Sequence, residues 1–274
     1  MMNLTPVVKQ LLIINIIFFI GSNFVGDFAY QLLSLYYPET DYFKLWQPIT
    51  HMFMHASVYL PNSSSNLMHI VFNMMGLVMF GSPLEHYWGG KKFLFFYISC
   101  GLGAALIQLG VTYYEVHTIL DSLSELKLNT EEIHTLLNLD FSSAFDSKGF
   151  LQEGTIKDIL VQSKCTPEQF YVLEGAIRNA QTPMVGASGA IYGLLTAFAF
   201  MFPNAELMLM FIPFPIRAKY FVPGLVLMDF FSGVTGVSIF GGGIAHFAHV
   251  GGALFGFIMM MMWRNNKFKH NRWN

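Results

Sequence analysis

Six apolar windows fall near residues 11–32, 67–84, 92–114, 184–202, 218–236 and 245–263. A helix needs about 20 apolar residues to cross a bilayer core, so the second window is a little short. The fifth is interrupted by Pro223 and Asp229. In hydrocarbon every backbone N–H and C=O must be satisfied internally, which leaves helices or a closed barrel. Windows this long select helices. Of the 274 residues, 54% are hydrophobic and 12% charged, against about 25% charged in soluble domains. The expected fold class is an all-α membrane protein, a bundle of six transmembrane helices in a lipid bilayer. A net charge of −2 gives no reason to expect nucleic acid as a partner.

Lys9 precedes the apolar run 11–20, which continues to about Tyr30 without a small-residue cleavage site. This pattern reads as a retained signal anchor. The two cysteines, Cys100 and Cys165, are not expected to pair, and no CxxC or Cys/His zinc spacing occurs.

Positive charge in short loops sets orientation. Lys9, Lys91, Lys92, Arg217, Lys219, Arg264, Lys267, Lys269 and Arg272 all fall on one common side of a six-span arrangement, and the opposite short loops hold only Lys44. Both termini are therefore expected to be cytoplasmic. The long polar segment 115–180 carries five basic and eleven acidic residues and falls on the other side. Thr166-Pro167-Glu168-Gln169 is a capping-box helix start, and Asn129 with Glu132 a weaker one. Ile119, Leu123, Leu126, Ile133, Leu136 and Leu137 keep helical spacing. The expected organisation is spans one to three over 1–114 with an outer loop at 33–66, then a helical extracytoplasmic insertion at 115–180. Spans four to six follow over 181–264, and 265–274 is a basic cytoplasmic tail.

Orientation matters for chemistry, because spans two, four and six all enter from outside. His69, Ser188 and His249 lie near their starts, roughly 3–8 Å below the outer helix ends at 1.5 Å per residue. Ser188 stands in Gly186-Ala187-Ser188-Gly189. Gly186 with Ala190, and Gly189 with Gly193, are small-xxx-small pairs that also suit plain helix packing. Tyr192 shares the face of Ser188 at i+4. His69 and Asn73 share a face too, and two polar groups on a membrane helix are costly without partners. They suit a pair of donors aimed at a developing oxyanion. His249 is followed by Gly252 and Gly256 on one face, which would let the sixth span approach the fourth. His246 lies on a similar face, so spacing does not choose between the two histidines as base. No carboxylate looks suitably placed to orient either one: Asp229 lies late in the fifth span, Glu206 near the cytoplasmic edge and Glu85 at the cytoplasmic end of the second. A Ser–His dyad, with Tyr192 aligning the imidazole, is the expectation.

These segments carry a family resemblance. Gly186–Gly193 resembles the GxSG nucleophile motif of rhomboid intramembrane serine proteases. The run from His69 to Asn73 resembles their HxxxN motif. Ala248-His249-Val250-Gly251-Gly252 with Gly256 resembles AHxxGxxxG, and the run from Gly81 through Glu85 to Gly89 resembles GxxxExxxG. Leu45-Trp46-Gln47-Pro48, with His51 and His55, is similar to the first outer loop, except that Gln47 stands where an Arg is usual. The resemblance covers the six spans in the family's order but not 115–180. It implies a rhomboid-like bundle with Ser188 as nucleophile and His249, rather than His246, as general base. It also implies an oxyanion hole of His69, Asn73 and the Ser188 N–H, Tyr192 stacked on His249, and no metal or cofactor.

The implied activity is endopeptidase cleavage of transmembrane segments in single-span membrane-protein substrates, at a site opening to the extracytoplasmic side. Substrate helices weakened by Gly, Pro or polar residues are favoured, because the scissile carbonyl must leave its helix. Pro223 and the glycine-rich stretch 233–243 suit a mobile gate and cap, or only a turn. The compact six-span form resembles bacterial members, which implies a multi-pass protein of the cell membrane. Oligomeric state is open, and so is the choice between recognition and mere tolerance for the insertion. Two other functions stand beside this one. His51, His55, His69, His246 and His249 could line a metal-handling membrane protein, and a non-catalytic relative could bind membrane-protein clients.

Overall fold

The first apolar window is not one helix. Gly26, with φ of +77°, breaks it into α1 (Pro6–Val25) and α2 (Asp27–Leu33). The computed structural model describes residues 4–57, 63–146, 150–208, 214–237 and 245–264. A short helix α3 (Gln47–Thr50) follows, then α4 (Ser63–Gly76), a π-helical turn at Leu77–Gly81 and α5 (Ser82–Trp88). Next come α6 (Gly90–Ser122), α7 (Thr130–Leu137), α8 (Phe141–Ala144), α9 (Thr155–Gln162) and α10 (Pro167–Gln181). The order ends with α11 (Ser188–Met201), α12 (Ala218–Thr235) and α13 (His246–Arg264). Between α11 and α12 a two-stranded antiparallel ladder pairs Glu206 with Arg217 and Leu207 with Ile216.

Among the described residues, four stretches are long and apolar enough to cross a membrane: Pro6–Val25, Asn66–Trp88, Gly90–Ser122 and His246–Trp263. The two other expected spans are helices as well, α11 of 14 residues and α12 of 18. α6 runs eight residues past the apolar window that begins it, ending at Ser122. The expected tail 265–274, residues 58–62 of the outer loop and residues 238–243 of the glycine-rich stretch lie outside the described residues.

The chain forms two compact units. One comprises 1–34, 48–108 and 185–274, the other 35–47 and 109–184. The core of the first contains Leu77, Phe93, Phe96 and Tyr97 together with Ala190 and Leu194 of α11. Its second membrane helix is tied to α1 by Glu85. The Glu85 carboxylate accepts from the backbone N–H of Val7 at 2.9 Å and of Val8 at 2.8 Å, and from the Thr5 hydroxyl at 2.5 Å. Glu85 thereby caps the start of α1, where N–H groups have no intrahelical acceptor and the helix dipole favours an anion. The flanking glycines fit the same contact. A Cβ at Gly81 would lie 2.9 Å from Val8 Cγ2, and Gly89, at φ +78°, ends α5 with its N–H on the Glu85 carbonyl. Glu85→Ala is expected to destabilise the protein by about 2–3 kcal/mol, since it strips two backbone donors of a charged acceptor. Thermal unfolding in detergent measures this, and Glu85→Gln should lose less.

The second unit is a small helical assembly with its own core of Val116, Leu123, Leu136, Leu137, Leu173 and Ile177. Both expected capping boxes form, at Asn129/Glu132 and Thr166/Gln169. The Gln181 amide donates to the carbonyls of Leu137 and Leu139, joining α10 to the end of α7. Both cysteines are free.

Candidate active site

Ser188 is the first residue of α11, with Ala187 as its cap. Its backbone N–H thus belongs to the turn in which helix donors lack intrahelical carbonyls. Gly186, two residues earlier, has φ of +123°, a conformation that side chains with a Cβ rarely adopt, and its N–H donates to the His51 carbonyl at 2.9 Å. A Cβ at Gly186 would sit 3.1 Å from His69 Nε2 and 3.6 Å from Ser188 Oγ. The glycine therefore leaves open a small space bordered by that imidazole and that hydroxyl.

His249, in the first turn of α13, places Nε2 2.8 Å from Ser188 Oγ. The approach is made possible by paired glycines. Gly252 stands against the backbone of Gly189, and a Cβ at Gly256 would come within 2.8 Å of Gly193 Cα. Where small residues face each other, two helix backbones can close on one another and bring short side chains into reach. The Tyr192 ring lies parallel to the His249 ring, centroids 4.2 Å apart at 11°. That stacking restricts the imidazole to one plane.

Asp229 lies late in α12, as expected, yet it stands beside both histidines. It is buried, and its Oδ1 accepts from His249 Nδ1 at 3.1 Å and from His246 Nδ1 at 2.5 Å, while the Tyr192 hydroxyl donates to Oδ2. The expectation that no carboxylate could orient the histidine is therefore corrected. α12 reaches Asp229 two turns before its C-terminal end, and that end meets the start of α13. Late in α12 is thus close to the start of α13. The alternation of helix direction could have shown this from sequence. With Nδ1–H donated to Asp229, His249 Nε2 is left as acceptor for the Ser188 hydroxyl.

Residues 42–118 and 169–266 match the Rhomboid domain family, more than half of the chain. The chain belongs to the rhomboid family. It is 32% identical over 109 residues to the rhomboid protease GlpG of Photorhabdus laumondii, covering 38% of this chain and 35% of that protein. It is also 33% identical over 78 residues to the mitochondrial Rhomboid protein 1 of Saccharomyces cerevisiae, covering 27% and 20%. This rhomboid thus spans about a third or less of the curated relatives it matches.

Not every residue singled out in the sequence meets at Ser188. The Asn73 amide of this rhomboid turns back to donate to the His69 carbonyl on its own helix, at 2.7 Å. His246 holds Asp229 rather than the serine. His55 is buried, with Nε2 2.9 Å from Asn15 Oδ1 and its ring edge-on to His69. Gln47 is fully buried within its own loop. Its Oε1 accepts from the backbone of Tyr36 and Lys44, and its Nε2 donates to the Tyr42 carbonyl at 2.8 Å. An uncharged amide, donor and acceptor at once, closes that loop. Among the described residues, the one group of three side chains spaced to share a metal ion is Asp229, His246 and His249. His51, His55 and His69 do not join it.

Proposed function

We propose that this membrane protein is an intramembrane serine endopeptidase that cleaves transmembrane segments of single-span membrane proteins. The 2.8 Å contact between Ser188 Oγ and His249 Nε2 supports it most strongly, because it joins two helices 61 residues apart in sequence. His249 takes the Ser188 proton as Oγ attacks a peptide carbonyl, then returns it to the leaving amine. A water molecule, activated in the same way, releases the acyl group. The oxyanion formed in each step would lie in the space beside Gly186, facing His69 Nε2 and the Ser188 N–H. The Asn73 amide would join them by rotating off its own helix.

Depth supports the same assignment. α11 spans roughly 21 Å at 1.5 Å per residue, against about 30 Å for a bilayer core. Ser188 at its start would then lie several ångströms beneath one face, taken here as the extracytoplasmic one, with both termini in the cytoplasm. Pro223 lies inside α12 and removes one intrahelical hydrogen bond. That makes α12 the helix best suited to yield when a substrate segment enters.

Labelling tests the assignment directly. A fluorophosphonate probe should modify intact protein and fail on Ser188→Ala. Intact, folded protein that never labels and never cleaves would favour a client-binding role. The Asp229, His246 and His249 grouping keeps a metal-handling alternative in view, and proteolysis that persists in Ser188→Ala and stops with a chelator would favour it. For the oxyanion site, His69→Ala is expected to lower kcat by about 100- to 1,000-fold with little change in KM. Steady-state cleavage of a fluorogenic single-span reporter provides the measurement, and an unchanged kcat would remove His69 from the site.

A further inference from the structure

We infer that Asp229 is a positioning residue for His249, held in place by His246 and Tyr192, so that the catalytic unit is a serine–histidine–aspartate relay rather than a dyad. This inference rests on the proteolytic assignment above. Three donors converge on the two oxygens of one buried carboxylate: His249 Nδ1 and His246 Nδ1 on Oδ1, and the Tyr192 hydroxyl on Oδ2. A buried carboxylate is tolerated only when its acceptor sites are filled, and here they are filled by neighbours of the nucleophile.

Each contact has a separate consequence. Asp229 holds the proton of His249 on Nδ1, which turns the lone pair of Nε2 toward Ser188. When Nε2 receives the serine proton, the imidazolium gains an anion 3.1 Å away, a charge-assisted contact that strengthens in the transition state. The stacked ring of Tyr192 restrains the plane of His249, and its hydroxyl restrains Asp229, so one residue orients both partners. The hydrogen bond of His246 goes to Asp229, and Ser188 is bonded by His249 instead. Its Nε2 is buried without a partner, and its other nitrogen fixes the carboxylate. That clamp gives the second imidazole its role.

The test uses the whole 274-residue chain in proteoliposomes with a single-span fluorogenic reporter. Asp229→Asn keeps shape and burial and removes the charge. It is expected to lower kcat by about 10- to 100-fold with KM changed less than about twofold. The loss is smaller than in a soluble triad because stacking by Tyr192 remains. Asp229→Glu should recover part of the lost kcat, and His246→Asn should give a smaller loss in kcat alone. Titration with fluorophosphonate counts competent sites, so that a folding defect lowers the number labelled while a positioning defect lowers the rate per site. Asp229→Asn with wild-type kcat, or with fewer sites at an unchanged rate per site, overturns the relay and leaves the Ser188 assignment standing. Wild-type protein that neither labels nor cleaves would remove the proteolytic assignment, and the relay with it.

Discussion

Ser188→Ala should abolish cleavage of a membrane reporter, lowering kcat by at least about 10,000-fold, and His249→Ala should match it within a small factor. Nucleophile and base act as one unit, so removing either removes covalent catalysis, and the double variant should be little worse than each single one. Whatever remains would come from binding and the oxyanion donors alone. Ser188→Ala should cost little stability, because Ser188 stands at a helix start, whereas His249→Ala also removes a donor from buried Asp229 and the ring stacked on Tyr192, and should lower stability. For Ser188→Ala, equal expression, unchanged thermal unfolding and lost turnover together form the expected pattern. Substantial turnover in Ser188→Ala would dismiss the serine mechanism whatever the geometry.

The second large effect concerns packing rather than chemistry. Gly252→Ala adds one methyl group, and that methyl would run into the backbone of Gly189. Side chains can rotate away from an intruder, but a backbone can yield only if a whole helix shifts. The expected cost is about 3 kcal/mol or more, at the upper end for overpacking. A helix shift also separates Ser188 from His249, and a misplacement of about 1 Å can lower the rate 100-fold. Thermal unfolding and probe labelling should therefore fall together. Gly21→Ala is the matched control, since nothing lies within 4 Å of a Cβ there. If Gly252→Ala unfolded and labelled like the parent, close approach of α11 and α13 would not be what unites the site.

Hydrophobic length and local pattern were legible in the residues themselves. The apolar windows, both capping boxes, the Ser188 turn and the Gly252/Gly256 face depend on neighbours a few positions away, and periodicity reports such relations well. The resemblance to rhomboid motifs then implied the pairing of Ser188 with His249 and the stacking of Tyr192, which spacing alone had left open. What the residues did not disclose was which distant groups share a hydrogen bond. Asp229 was set aside because it lies late in the fifth span; alternating helix direction makes its nearness to the start of α13 conceivable, but not the hydrogen bond to His249 Nδ1. Glu85 gave no local sign that it would cap α1, about 78 positions earlier. The Asn73 amide could not be read as engaged with its own helix. A hydrophobic pattern is a property of a segment, because burial has no direction. A carboxylate finding its donors needs position and orientation together, and only the packing of helices against one another supplies both.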